Sequence, residues 1–82
     1  MSQPRFIMLE ALRDKGKHIM GTWISDYAED ELEPFFVSLS EIEFVRFRTA
    51  KTSWLFLKVL DGRGIAISGS VEEIAEAINQ AK

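Results

Sequence analysis

The chain contains no cysteine. That removes a disulfide framework, a thiolate nucleophile and any Cys-ligated zinc or iron–sulfur site in one step. Histidine is nearly absent too: His18 stands alone, beside Lys17 in a basic turn. Acid–base work near neutral pH most often uses histidine, and metal sites usually draw on several such ligands. His18 is therefore expected to be a surface or structural residue. With 2 prolines and 5 glycines in 82 residues, the chain is neither collagen-like nor of low complexity. It lacks the G-x-G-x-x-G, P-loop and G-x-S-x-G patterns that would cradle a phosphate or present a serine nucleophile. The acids Glu29, Asp30, Glu31 and Glu33 lack the glycine and ligand spacing of a calcium hand. The expectation is a protein with no enzymatic activity, no metal and no cofactor.

Long apolar runs are missing as well. The longest, Phe6–Leu9 and Trp54–Leu57, are four residues each, far short of a membrane span. The first residues show no signal-peptide pattern. Together with the lack of cysteine, this leads to the expectation of a cytoplasmic protein without a membrane partner. Positive charge is in deficit: 13 acids oppose 10 bases, for a net charge of −3. Such a balance disfavours a protein that coats phosphates.

The hydrophobic fraction of 46% is that of a globular chain, and its length suits one domain over residues 1–82. Charge is unevenly spread. Asp26, Glu29, Asp30, Glu31 and Glu33 form an acidic stretch without a base. From Phe44 to Arg63 the bases Arg46, Arg48, Lys51, Lys58 and Arg63 stand against one acid, Asp61.

The C-terminal end reads as a helix. Ser70 and Glu73 form a capping box, and Val71, Ile74, Ala75 and Ile78 follow at helical spacing. Glu43–Arg48 and Trp54–Leu60 read as strands joined by the polar loop Thr49–Ser53. A register with Arg48 opposite Trp54, Arg46 opposite Phe56 and Phe44 opposite Lys58, or its neighbour two residues away, keeps the two faces distinct. One face then holds Val45, Phe47, Leu55, Leu57 and Val59; the other interleaves aromatic rings with cations.

Asp61-Gly62 signals a turn into a third strand, Ile65–Ser68. A two-residue turn puts Ile65 and Ile67 on the face of Phe56, and a three-residue turn puts them with Leu57 and Val59. The first arrangement has the aromatic face partly covered; the second leaves it open to solvent. Residues 5–12 and 18–25 are expected to pair as a hairpin, with Pro4 leading into it and a helix over 4–14 as the alternative. Tyr27–Glu33 is expected to be a short helical turn capped by Asp26 and stopped before Pro34. The predicted fold is α+β: a bent antiparallel sheet or partial barrel of about five strands with one C-terminal helix.

The candidate binding residues are Phe44, Arg46, Arg48, Trp54, Phe56 and Lys58, with Lys51 at the hairpin tip. Trp, Phe and Arg are the enriched anchors of protein interfaces. A sheet apolar on both faces also needs a cover, and a second copy supplies one. The leading expectation is a small regulatory, accessory or inhibitor protein that binds another protein or itself as a homodimer. The acidic 26–33 stretch is its second, electrostatic contact. The alternative is single-stranded nucleic-acid binding by the same face, rings for bases and cations for backbone.

Ile42 and Glu43 at a strand start, the Asp61-Gly62 turn, a short strand, then Ser70-Val71-Glu72-Glu73-Ile74 opening a helix make one further pattern. In it, residues 37–81 resemble the FlbD-like family of small flagellar-operon proteins. The resemblance implies a similar strand–strand–helix end and a non-enzymatic regulatory or assembly role.

Overall fold

The computed structural model describes residues 5–82, so the expected lead-in at Pro4 lies outside the described residues. In chain order the elements are β1 (Phe6–Asp14), β2 (Lys17–Ile19), β3 (Thr22–Ile24), β4 (Tyr27–Ser38), β5 (Ile42–Thr49), β6 (Thr52–Leu57), β7 (Gly64–Ser68) and α1 (Val71–Ala81). Short 3-10 turns, Leu39–Glu41 and Lys58–Leu60, follow β4 and β6. Five strands form one antiparallel sheet in the order β4-β1-β7-β6-β5, and β2 and β3 form a separate two-stranded hairpin. The architecture is α+β, and the sheet is not closed.

The helix forms where its sequence dictates. The Ser70 hydroxyl accepts from the Glu73 N–H at 3.2 Å, and the Glu73 carboxylate accepts from the Ser70 N–H at 3.3 Å. Ile74 is buried against the sheet, in a core of Leu9, Val37, Leu55, Leu57 and Ile67. Odd-numbered positions of β6 and β7 feed this core because alternate strand residues share a face.

The β5–β6 hairpin takes the neighbouring register: Arg46 lies opposite Trp54 and Phe44 opposite Phe56. A shift of two residues keeps Phe44, Arg46, Trp54 and Phe56 on one face and Val45 and Leu55 on the other. Phe47 and Val59, expected on the apolar face, are instead exposed: Phe47 stands beside the register shift before Thr49, and Val59 lies in the Lys58–Leu60 turn. Thr49 pairs with Thr52, so the turn is tighter than a five-residue loop. Ile65 and Ile67 lie opposite Leu55 and Ser53, on the core side. This is the face assignment of the three-residue turn, reached through a longer connection that includes the Lys58–Leu60 turn.

Two expectations at the N-terminal end are corrected. β1 pairs with β4 along its whole length, from Phe6–Ser38 to Asp14–Tyr27, and not with residues 18–25. Within the latter, Thr22–Ile24 fold back on Lys17–Ile19 instead. Tyr27–Glu33 belongs to a strand, not a helical turn. β4 is an edge strand, where exposed acids are solvated and the missing N–H of Pro34 is tolerated. Between Leu12 and Arg13 the register jumps from Leu32 to Ala28. Glu29, Asp30 and Glu31 therefore bulge from the ladder.

β1 meets β7 at a single bridged pair, Ala11 and Ile67. The β1–β4 ribbon is thus joined to the other three strands of the sheet by one bridged pair. Near one end it gives Leu9 and Val37 to the core under α1. At the other it carries Tyr27 onto Trp54, on the opposite face.

Candidate functional site

The aromatic–basic face is built by β5 and β6. Phe44 and Phe56 stack with centroids 4.6 Å apart and planes at 22°. The guanidinium carbon of Arg46 lies 5.2 Å from the Phe44 ring centre and 5.8 Å from that of Phe56. Arg46 and Phe44 are exposed, so this stack faces solvent.

Arg48 is placed differently. Its guanidinium sits 5.1 Å from the Tyr27 ring centre and 5.4 Å from that of Trp54. It donates to Thr52 Oγ1 at 3.0 Å and lies 3.6 Å from Glu29 Oε1. Its side chain is only 18% exposed. Arg48 is thus a structural link between the two edge strands of the sheet, β4 and β5. Lys51 sits exposed at the β5–β6 turn. Lys58 is not on the face: β6 ends at Leu57, and Lys58 opens the 3-10 turn beyond it. The expected pairing of Phe44 with Lys58 is replaced by Phe44 with Phe56.

The face borders an open cleft of about 650 Å³ lined by Asp14, Trp23, Tyr27, Trp54, Phe56 and Arg63, among others. Gly64 makes its floor: a Cβ there would sit 3.1 Å from ring carbons of both Trp54 and Phe56. Without that atom the two rings lie flush over β7.

Asp14 clasps the base of the β2–β3 hairpin. Its carboxylate accepts from the N–H of Gly16 at 2.8 Å, the N–H of Asp26 at 2.9 Å and the Trp23 indole N–H at 3.0 Å. These donors, Asp26 foremost and Trp23 next, hold its pKa down to about 2, because hydrogen bonds to the charged form favour it. Lys15 pairs with Glu31 at 2.7 Å, and that bond raises the Lys15 pKa. Part of the acidic stretch is therefore spent inside the molecule, on Lys15 and Arg48. His18 lies edge-on to Trp23 at 5.1 Å. Among the described residues no group of three or more His, Cys, Asp or Glu is placed to hold a metal ion.

Asp14, Trp23, Tyr27 and Arg63 were not legible as neighbours of the face. The Asp-x-Gly spacing at residues 14–16 does mark a side-chain-capped turn. Nothing local in the sequence signals that the turn lies across β6. No helix of the described residues is long and apolar enough to cross a membrane. Comparison with protein-family models, with curated proteins and with solved structures finds no match for this chain.

Proposed function

We propose that this chain is a non-enzymatic protein-binding module, a small regulatory, accessory or inhibitor protein, whose contact surface is the aromatic–basic face. The observation that carries this reading is the exposed Phe44–Arg46–Phe56 stack. Aromatic rings and arginine are the side chains that dominate interface energetics. A guanidinium already held on two rings loses less rotamer freedom on binding than a free one. Lys51 extends the same surface as a rim cation. The partner is another protein or a second copy, with an acidic or carbonyl-rich patch to meet Arg46. The resemblance to FlbD-like proteins accords with a regulatory or assembly role.

Single-stranded nucleic acid is the second reading, favoured by the cleft, where the exposed Trp23 ring and the Arg63 cation lie together. Two facts weigh against it. The Trp54 ring is already engaged by Arg48 and Tyr27, which leaves less ring surface for base stacking. The net charge of −3 also opposes approach to phosphate.

The test uses the full chain as bait beside a Phe44→Ala, Arg46→Ala variant, with captured proteins identified by mass spectrometry. A protein held by the parent and lost with the variant, together with no binding of a mixed single-stranded oligonucleotide, supports the reading. Oligonucleotide binding that falls steeply with salt and is lost in the variant sinks it, as does the absence of any protein that distinguishes the two baits.

A further inference from the structure

The β2–β3 hairpin is an arm with no cover. Its cross-strand pairs are Lys17–Ile24, His18–Trp23 and Ile19–Thr22. One side therefore presents Lys17, Ile19, Thr22 and Ile24, and the other turns His18 and Trp23 toward the clasp and the cleft. Ile19 and Ile24 are exposed, and Met20 at the tip is 98% exposed. Met20 also holds φ at 51°, ahead of Gly21 at 81°. That is the left-handed pair of a type I′ turn, a position that asparagine or glycine fills without cost and methionine does not. A strained, wholly exposed apolar residue at a hairpin tip is a feature that folding alone does not favour. A two-stranded hairpin is marginal by itself, yet this one is pinned at its base by the three donors on Asp14.

The same chain carries an apolar surface of matching kind. Phe6, Met8 and Phe36 stand exposed on the outer side of the β1–β4 ribbon, Phe36 at 70%, with Met8 directly opposite Phe36. Glu10 shares that side and is exposed. Among the described residues neither Lys17 nor Glu10 has an ion-pair partner. The arm does not reach this stripe within one molecule. Asp14 and Met8 lie six residues apart along β1, or about 20 Å, whereas each three-residue arm strand spans about 10 Å.

We propose that a second copy of this chain covers both surfaces: the arm of each protomer seats Ile19, Met20 and Ile24 on the Phe6–Met8–Phe36 stripe of its partner, with Lys17 meeting Glu10. Exchanged reciprocally about a twofold axis, the contact buries two arms and two stripes at once and closes as a dimer. It uses none of Phe44, Arg46 and Phe56, so its test is separate from that of the function proposed above.

Sedimentation velocity over a concentration series tests it. The parent chain is expected to be a dimer that dissociates on dilution. Met20→Asn suits the turn and Phe36→Lys alters an exposed side chain. Each is expected to raise the dimer dissociation constant at least tenfold with an unchanged circular dichroism spectrum. Lys17→Glu and Glu10→Lys are each expected to weaken the dimer and, combined, to restore it. A parent chain that stays monomeric overturns the proposal. So does a dimer indifferent to both Met20→Asn and Phe36→Lys. A monomer that binds phosphatidylserine vesicles in a Met20-dependent manner would assign the arm to a lipid surface and overturn it too.

Discussion

Asp14 concentrates several consequences in one carboxyl group. Its pKa is lowered from 3.8 to about 2. The stability it contributes is therefore fully present above pH 3.8 and is lost as the pH falls through about 2. The arm is expected to loosen across that window. The Trp23 indole N–H resonance, followed by NMR as the pH is lowered, reports it directly. Asp14→Asn should show the loosened arm already at neutral pH. Gly69 is a second residue with a sharp forecast. Its φ is +121°, and a Cβ there would lie 2.9 Å from Ile74 Cδ1. Its N–H and C=O are both committed, to Lys51 O and from Ser53 Oγ, each at 2.8 Å. Gly69→Ala is expected to cost about 2–4 kcal/mol in urea unfolding, from backbone strain and overpacking together. A loss below about 0.5 kcal/mol would mean that the loop relaxes freely.

The elements differ in how far sequence alone reveals them. α1 is legible because its determinants are local: a capping box, an apolar period and first-turn carboxylates. Ser70→Ala should lower stability by about 1 kcal/mol, measured by chemical denaturation, since it orphans the Glu73 N–H. The faces of β5 and β6 are legible because parity, not exact register, decides them, and alternation fixes parity. The register itself is less so: either alignment keeps the faces apart, and the tight Thr49–Thr52 turn selects one. β1 is misread because its partner lies beyond an intervening hairpin. The nearest strand-forming segment, residues 18–25, is a tempting mate, yet it closes on itself. Tyr27–Glu33 reads as a helical turn because Asp26 and Pro34 bracket it and its four carboxylates suit no buried strand. An edge strand with a bulge solvates them, and Lys15 and Arg48 engage two. Of the candidate site, the ring-and-cation composition is visible in the sequence, but Lys58 is lost to the turn that ends β6. Tyr27 enters the site through a long-range contact with Trp54 that local patterns do not encode.

At the scale of the whole molecule, the two face arginines do different work, and a pair of variants separates them. Arg48→Ala removes a hydrogen bond to Thr52, two ring contacts and the link to Glu29. It is expected to lower stability by about 1–2 kcal/mol. Arg46→Ala removes an exposed cation from an exposed stack and should change stability by less than about 0.5 kcal/mol. Thermal denaturation of the two side by side checks the contrast, and equal losses would refute the assignment of Arg48 as the link between the edges. The joint between the two halves of the sheet carries a further consequence. Residues 6–38 and 42–68 each close their own backbone ladders, and one bridge, Ala11 to Ile67, unites them across most of the sequence. Loop-closure entropy makes such a junction the costliest to form early. Substitutions at the junction are then expected to quicken unfolding more than they slow refolding, which stopped-flow kinetics in urea checks.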